Sequence, residues 1–146
     1  MQTILKGRIL LDTNILIYAY DESSPYHAKA AEIINLALAG EFEAVVAQQN
    51  LIEFANILTS NYKIPASSVS GDIEDILKDF QLITPLPKTI HHFLQLIRDL
   101  NVNTYLFDIY LVATMISNDI ENLITCNDKD FAGIKGLTVI NPYKKE

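Results

Sequence analysis

The sequence predicts an α/β fold, three layers built on a parallel sheet. Short aliphatic runs recur along the chain as "GRILLD", "FEAVVA", "QLIT", "NLIT" and "LTVI". Longer segments among them keep apolar residues at helical spacing. Strands alternating with helices imply a parallel sheet covered on both faces, and in such sheets ligands gather beyond the carboxyl ends of the strands.

The elements follow in order. "GRILLD" is a buried strand that breaks off at Asp12, and "ILIYAY" after Asn14 reads as a turn of helix. In "SSPYHAKAAEIINLALAG", Ser24 is expected to cap a helix, Pro25 to take its first position and Gly40 to stop it. "FEAVVA" is the second strand. "NLIEFANILTSNY" follows as a helix with Leu51, Phe54, Ala55 and Leu58 on one face. Ser67 or Ser68 starts another helix through "DIEDILKDF", with Gly71 weakening its first turn, and "QLIT" is a strand closed by Pro85. "TIHHFLQLIRDLN" repeats the amphipathic pattern with Ile90, Phe93, Leu94 and Ile97, and "YLFDIYLVATMIS" is the next helix. "NLIT" and "LTVI" complete the sheet, the last strand ended by Asn141 and Pro142.

At 146 residues and 49% hydrophobic composition, residues 1–146 are expected to form one domain with one sizeable core. Gly and Pro, five of each, are scattered and mark no linker. No apolar run reaches the roughly 18 residues of a membrane span, and the charges within the first eleven residues do not suit a signal peptide. The expectation is a soluble, cytoplasmic protein, and a lone cysteine, Cys126, agrees with a reducing compartment. The bland reading of Cys126 is a small buried side chain rather than a nucleophile. A net charge of −7 argues against non-specific coating of nucleic acid, which needs clustered Lys and Arg. It suits carboxylates that hold a cation, or a basic partner segment.

Several acids stand where a core would not place them. Asp12 ends the first strand and so faces the ligand crevice, although an Asp there also caps a helix. Glu53 follows the second strand, one residue before the core-facing Phe54. Asp108 shares a helical face with Leu111, Val112 and Met115, and an unpaired carboxylate on an apolar stripe is costly to desolvate. Asn127, Asp128 and Asp130 fall past the end of "NLIT", where an ordinary polar turn is the plain alternative. Two carboxylates about 4 Å apart repel by roughly 4 kcal/mol at an effective dielectric near 20, so a shared crevice calls for a counter-cation. Oxygen donors favour Mg²⁺ or Mn²⁺. Zinc fits poorly, because His91 and His92 are adjacent and diverge on a helix while His27 is alone. A cation held by acids, with positions open to water, is suited to phosphodiester hydrolysis without a side-chain nucleophile. Removing one acid is expected to relieve repulsion, so that the metal-free chain holds or gains stability.

These blocks together resemble the PIN-domain nucleases, specifically the VapC-like toxins of VapBC-type toxin–antitoxin pairs. "LLDTNILI", "QNLIEFANIL", "FDIYLVATM" and "LITCNDKDF" are similar to the family's four blocks, in order, and "LTVINP" to its usual ending. The resemblance implies a three-layer α/β/α PIN-like domain with a five-stranded parallel sheet of order 3-2-1-4-5. It further implies Mg²⁺- or Mn²⁺-dependent endoribonuclease activity, an RNA substrate, a homodimer and a cognate antitoxin. By position, Asp12, Glu53 and Asp108 match the best-defined catalytic, metal-binding acids, and Asn14 the polar residue that supports the first. Asp130 matches the fourth acid, with Asp128 and Asn127 as rivals; Thr125 and Asn127 are supporting positions. Lys129, Lys135 and Arg98 are candidates for a basic rim that RNA would need. A non-catalytic PIN-like module binding RNA or protein is the alternative. A phosphotransfer domain is a third reading, but Asn14 stands where haloacid-dehalogenase-type sites want a second Asp.

Overall fold

A computed structural model describes residues 5–100 and 105–144. The elements are β1 (Arg8–Leu11), α1 (Thr13–Tyr20), α2 (His27–Leu38), β2 (Glu43–Ala47), α3 (Gln48–Ser60), α4 (Ala66–Asp79), β3 (Gln81–Ile83), α5 (Thr89–Asp99), α6 (Leu106–Ser117), β4 (Asn122–Ile124), a 3₁₀ turn (Asp128–Phe131) and β5 (Thr138–Ile140). The strands form one five-stranded sheet in the order β3-β2-β1-β4-β5. Every neighbouring pair is parallel, with Leu10 opposite both Val45 and Leu123. Both the layer architecture and the strand order agree with the sequence reading.

Aliphatic strands without polar alternation are what a sheet covered on both faces requires. Ile9, Leu11, Ala44 and Val46 point into one core beneath α1 to α4, with Leu51, Phe54 and Leu58. Leu10, Val45, Ala47 and Leu123 point the other way, into a core closed by Ile109, Leu111, Val112 and Met115 of α6 and by Phe131. The chain builds outward from β1 through β2 to β3, then returns to β4 on the other flank of β1. That reversal places the topological switch point between β1 and β4, where two crossovers leave the sheet in opposite directions and open a crevice.

Three local expectations change. Ser24 does not cap α2: its hydroxyl accepts from Tyr26 N at 3.1 Å and its carbonyl from His27 N at 3.1 Å, so residues 24–27 make a turn. Helix α2 starts after Tyr26, whose backbone is already helical and leaves the cap without a side-chain bond. Gly40 closes it as expected, at φ +83° in the left-handed region. Helix α4 begins at Ala66 behind Pro65 rather than at Ser67 or Ser68, because proline's fixed φ pre-sets the entry. The α5 stripe also divides. Phe93, Leu96 and Leu100 pack on the second core, whereas Ile90, Leu94 and Ile97 are 48%, 45% and 39% exposed. Asn101, expected to end that helical stretch, lies outside the described residues.

Candidate active site

Asp12 continues the β1–β4 ladder, its N–H donating to the Ile124 carbonyl at 3.0 Å, so its side chain emerges at the switch point. The carboxylate is buried and takes four donors. Thr13 N at 2.8 Å and Asn50 Nδ2 at 3.2 Å reach Oδ1, while the Thr125 hydroxyl at 2.8 Å and Asn14 Nδ2 at 3.3 Å reach Oδ2. Burial raises its pKa, and the bonds from Thr125, Thr13, Asn14 and Asn50 pull it back. Thr125 occupies the equivalent place after β4, its N–H bonded to the Ile140 carbonyl at 3.0 Å. Asn14 ties the two strand ends, donating also to the Thr125 hydroxyl at 3.2 Å and accepting from Cys126 N at 3.2 Å.

Helix α3 follows β2 with no connecting residue, which sets its first turns on the rim of the same crevice. The Thr13 hydroxyl donates to Glu53 Oε2 at 3.4 Å and accepts from Asn50 Nδ2 at 3.0 Å. Gln49 Nε2 reaches Glu53 Oε1 at 3.4 Å and the Phe107 carbonyl at 2.8 Å, fastening α3 to the start of α6. Burial and then the Asp12 charge raise the Glu53 carboxyl, against the bonds from Gln49 and Thr13. Asn50 was not foreseen. Fully buried one turn before Phe54, it carries the same signal that singled out Asp108, a polar side chain on an apolar face.

Asp108 sits in the first turn of α6. Every influence on its carboxyl raises it, burial first and then the charges of Asp12, Asp130 and Glu53, to about 6. Asp108 therefore lies in the field of acids from three other chain segments. Asp130, on the 3₁₀ turn, is exposed, and its charge reaches Asp108. Asp128 is engaged elsewhere, accepting from Asn141 Nδ2 at 3.1 Å and Lys144 Nζ at 3.0 Å, and these two hold its carboxyl below the ordinary range. Asn127 is exposed, and its N–H donates to the Thr125 hydroxyl at 3.0 Å. Of the basic candidates, Lys129 is exposed beside Asp130, and Arg98 turns its Nε back to the Leu94 carbonyl at 3.3 Å. Lys135 lines a separate cavity with Asp119 and Glu121 at the amino end of β4, so it does not belong to this rim.

Among the described residues, no three His, Cys, Asp or Glu side chains are drawn close enough to grip an ion as they stand. The donor set nevertheless fits a hard divalent cation. It consists of carboxylate oxygens, three of the carboxyls being raised above their ordinary pKa chiefly by burial, and the buried amide oxygens of Gln49 and Asn50 are left without a partner among the described residues. Thiol and imidazole ligands are not among these donors, which disfavours zinc.

A parallel sheet that collects carboxylates at its switch point defines an α/β domain with an acidic crevice. The PIN domain family model matches residues 9–137, and the chain belongs to that family. No curated protein matches it. Its fold is similar to a toxin–antitoxin complex from Klebsiella pneumoniae, at 26% identity and TM-score 0.67 over 94% of this chain and 99% of that one. It is similar too to VapBC2 from Rickettsia felis bound to a promoter DNA fragment, at 19% identity, TM-score 0.68, and 92% and 98% coverage. A third likeness is to Mycobacterium tuberculosis VapC20, a sarcin-ricin loop cleaving toxin, at 15% identity, TM-score 0.68, and 89% and 98% coverage. The PIN-domain resemblance read from the four sequence blocks holds.

Proposed function

We propose that residues 1–146 act as one metal-dependent endoribonuclease domain, the toxin of a VapBC-type pair, working in the cytoplasm. The observation that carries the reading is the convergence of Asp12, Glu53, Asp108 and Asp130 from four separate elements, felt most at Asp108. Those four would hold Mg²⁺ or Mn²⁺. When bound, such a cation supplies an acidified water and neutralises charge on the phosphate. The chain's own residues do the rest. Thr125, Asn14, Asn50 and Thr13 hold Asp12 in one orientation, so no rotamer search accompanies ligation. Among the described residues none donates to the Asp108 carboxylate, and a positive charge nearby would return its carboxyl toward the ordinary range.

The partner chemistry has its own support. A groove of about 240 Å³ between α1, α2, α3 and α4 has Leu16, Ala19, Ile34 and Phe54 on its floor and Asp72, Asp75 and Asp79 along one rim. That arrangement suits an amphipathic segment with basic side chains, the composition expected of an antitoxin tail. The exposed α5 stripe, with Leu106 at 54% and Phe107 at 60% exposed, supports a homodimer.

The test is cleavage of RNA by the purified protein with Mg²⁺ or Mn²⁺ and with chelator. Metal-dependent phosphodiester cleavage that Asp108→Asn abolishes is the expected result. Cleavage undiminished in that variant refutes the site, and a wild type inert toward RNA leaves a non-catalytic PIN-like module.

A further inference from the structure

Three tyrosine rings meet beside the acidic crevice, and neither core explains the most exposed of them. Tyr18 and Tyr26 lie 4.9 Å apart between centroids at a 40° tilt. Tyr143 stands edge-on to both, at 6.1 Å and 5.2 Å. Tyr26 is 47% exposed. The cluster is tied to the site from two directions. The Tyr18 hydroxyl lies near Cys126, next in the chain to Thr125, which holds Asp12. Tyr143 lies on the segment that Asn141 and Lys144 clip to Asp128, two residues from Asp130. Its hydroxyl donates to the Tyr26 carbonyl at 2.8 Å, which fixes the ring and leaves no polar debt.

We infer that Tyr26, backed by Tyr18 and Tyr143, is a stacking platform for an unpaired base of single-stranded RNA next to the scissile phosphate. The inference rests on the ribonuclease reading and names how the substrate is held. A chain of net charge −7 cannot draw its RNA affinity mainly from counterion release. Stacking on an aromatic face is indifferent to net charge and is worth about a five- to hundredfold gain in affinity per base. The side chains nearest the rings suit a strand threading past them. Lys144 is two-thirds exposed although paired with Asp128, and His27 is oriented by its Nδ1 contact with the Tyr18 carbonyl at 2.9 Å.

Two measurements test it. The chain has no tryptophan, so Tyr26→Trp in an Asp108→Asn background gives a single reporter on a protein expected not to cut. Its fluorescence should be quenched by an oligoribonucleotide of about ten nucleotides and not by an abasic ribose-phosphate strand of that length. Equal response to both strands, or to neither, overturns the platform whether or not the wild type cleaves RNA. In the cleaving wild type, Tyr26→Leu should raise KM about tenfold with kcat within about twofold, and Tyr26→Phe should restore KM. An unchanged KM in Tyr26→Leu overturns the platform and leaves the nuclease reading standing. Failure of the wild type to cut, with base-dependent quenching, removes the nuclease reading and with it the scissile phosphate, and keeps Tyr26 only as a base-stacking surface.

Discussion

The end of β1 and the first turn of α6 each present an aspartate to the same crevice, and they treat it in opposite ways. Asp12 is buried under four donors that share its two oxygens. Asp108 is half-buried, faces three like charges, and has its pKa pushed to about 6. One acid is therefore braced by the scaffold, and the other is a carboxyl whose charge its neighbours disfavour. Removing Asp108 should therefore relieve repulsion, whereas removing Asp12 should strand the donors collected around it.

Substitution of the two should separate them most sharply. Asp12→Asn puts an amide N–H₂ against two donors, and an urea melt should show a loss of about 3 kcal/mol together with loss of cleavage. Unchanged stability would break the contrast. Cation binding comes next. Mg²⁺ at about ten times its dissociation constant should stabilise the wild type by about 1.4 kcal/mol, seen as a rise in Tm, and should do little for Asp108→Asn. A melt indifferent to Mg²⁺ would argue that the acids serve some other cation or none. Thr125→Val removes one of the Asp12 donors and should cost about 1 to 2 kcal/mol, again in urea, with cleavage reduced.

The pH dependence sharpens the other side. Asp108 binds its proton more tightly folded, with a pKa of about 6, than at the ordinary 3.8. Between those values the native state holds more protons than the unfolded one, so metal-free stability should fall as pH rises through that window. Asp108→Asn should abolish this part of the decline and gain on the order of 1 kcal/mol at pH 7, the full shift being reduced by solvent screening at a half-exposed group. The smallest effect is expected at Asp128. Asp128→Asn loses only a surface ion pair with Lys144 and should leave stability and cleavage near wild type, whereas Asp130→Asn should impair cleavage.

Much of the site was legible because its acids break local rules. Asp12 interrupts an aliphatic run and Asp108 shares a face with Leu111 and Met115, and both anomalies survive in any arrangement of the chain that keeps the strand and the helix. Asn50 broke the same rule more quietly, since an amide near a helix start passes for an ordinary polar residue. Asp130 was preferred to Asp128 only through the likeness to the family's fourth block, because a turn accepts either. Only the return of residues 141–144 across the 3₁₀ turn engages one and frees the other. Ile90, Leu94 and Ile97 share helical spacing with Phe93 and Leu96, and periodicity does not say which stripe meets the sheet.

What the sequence determined by itself is the order of strands and helices and the identity of the acids, because backbone propensity and apolar period act over a few residues at a time. The strand exchange that sets β4 beside β1, the donors that close on Asp12 and the outward face of α5 belong to the tertiary structure. Each depends on groups far apart in the chain, and only packing across the sheet brings them within a few ångströms of one another.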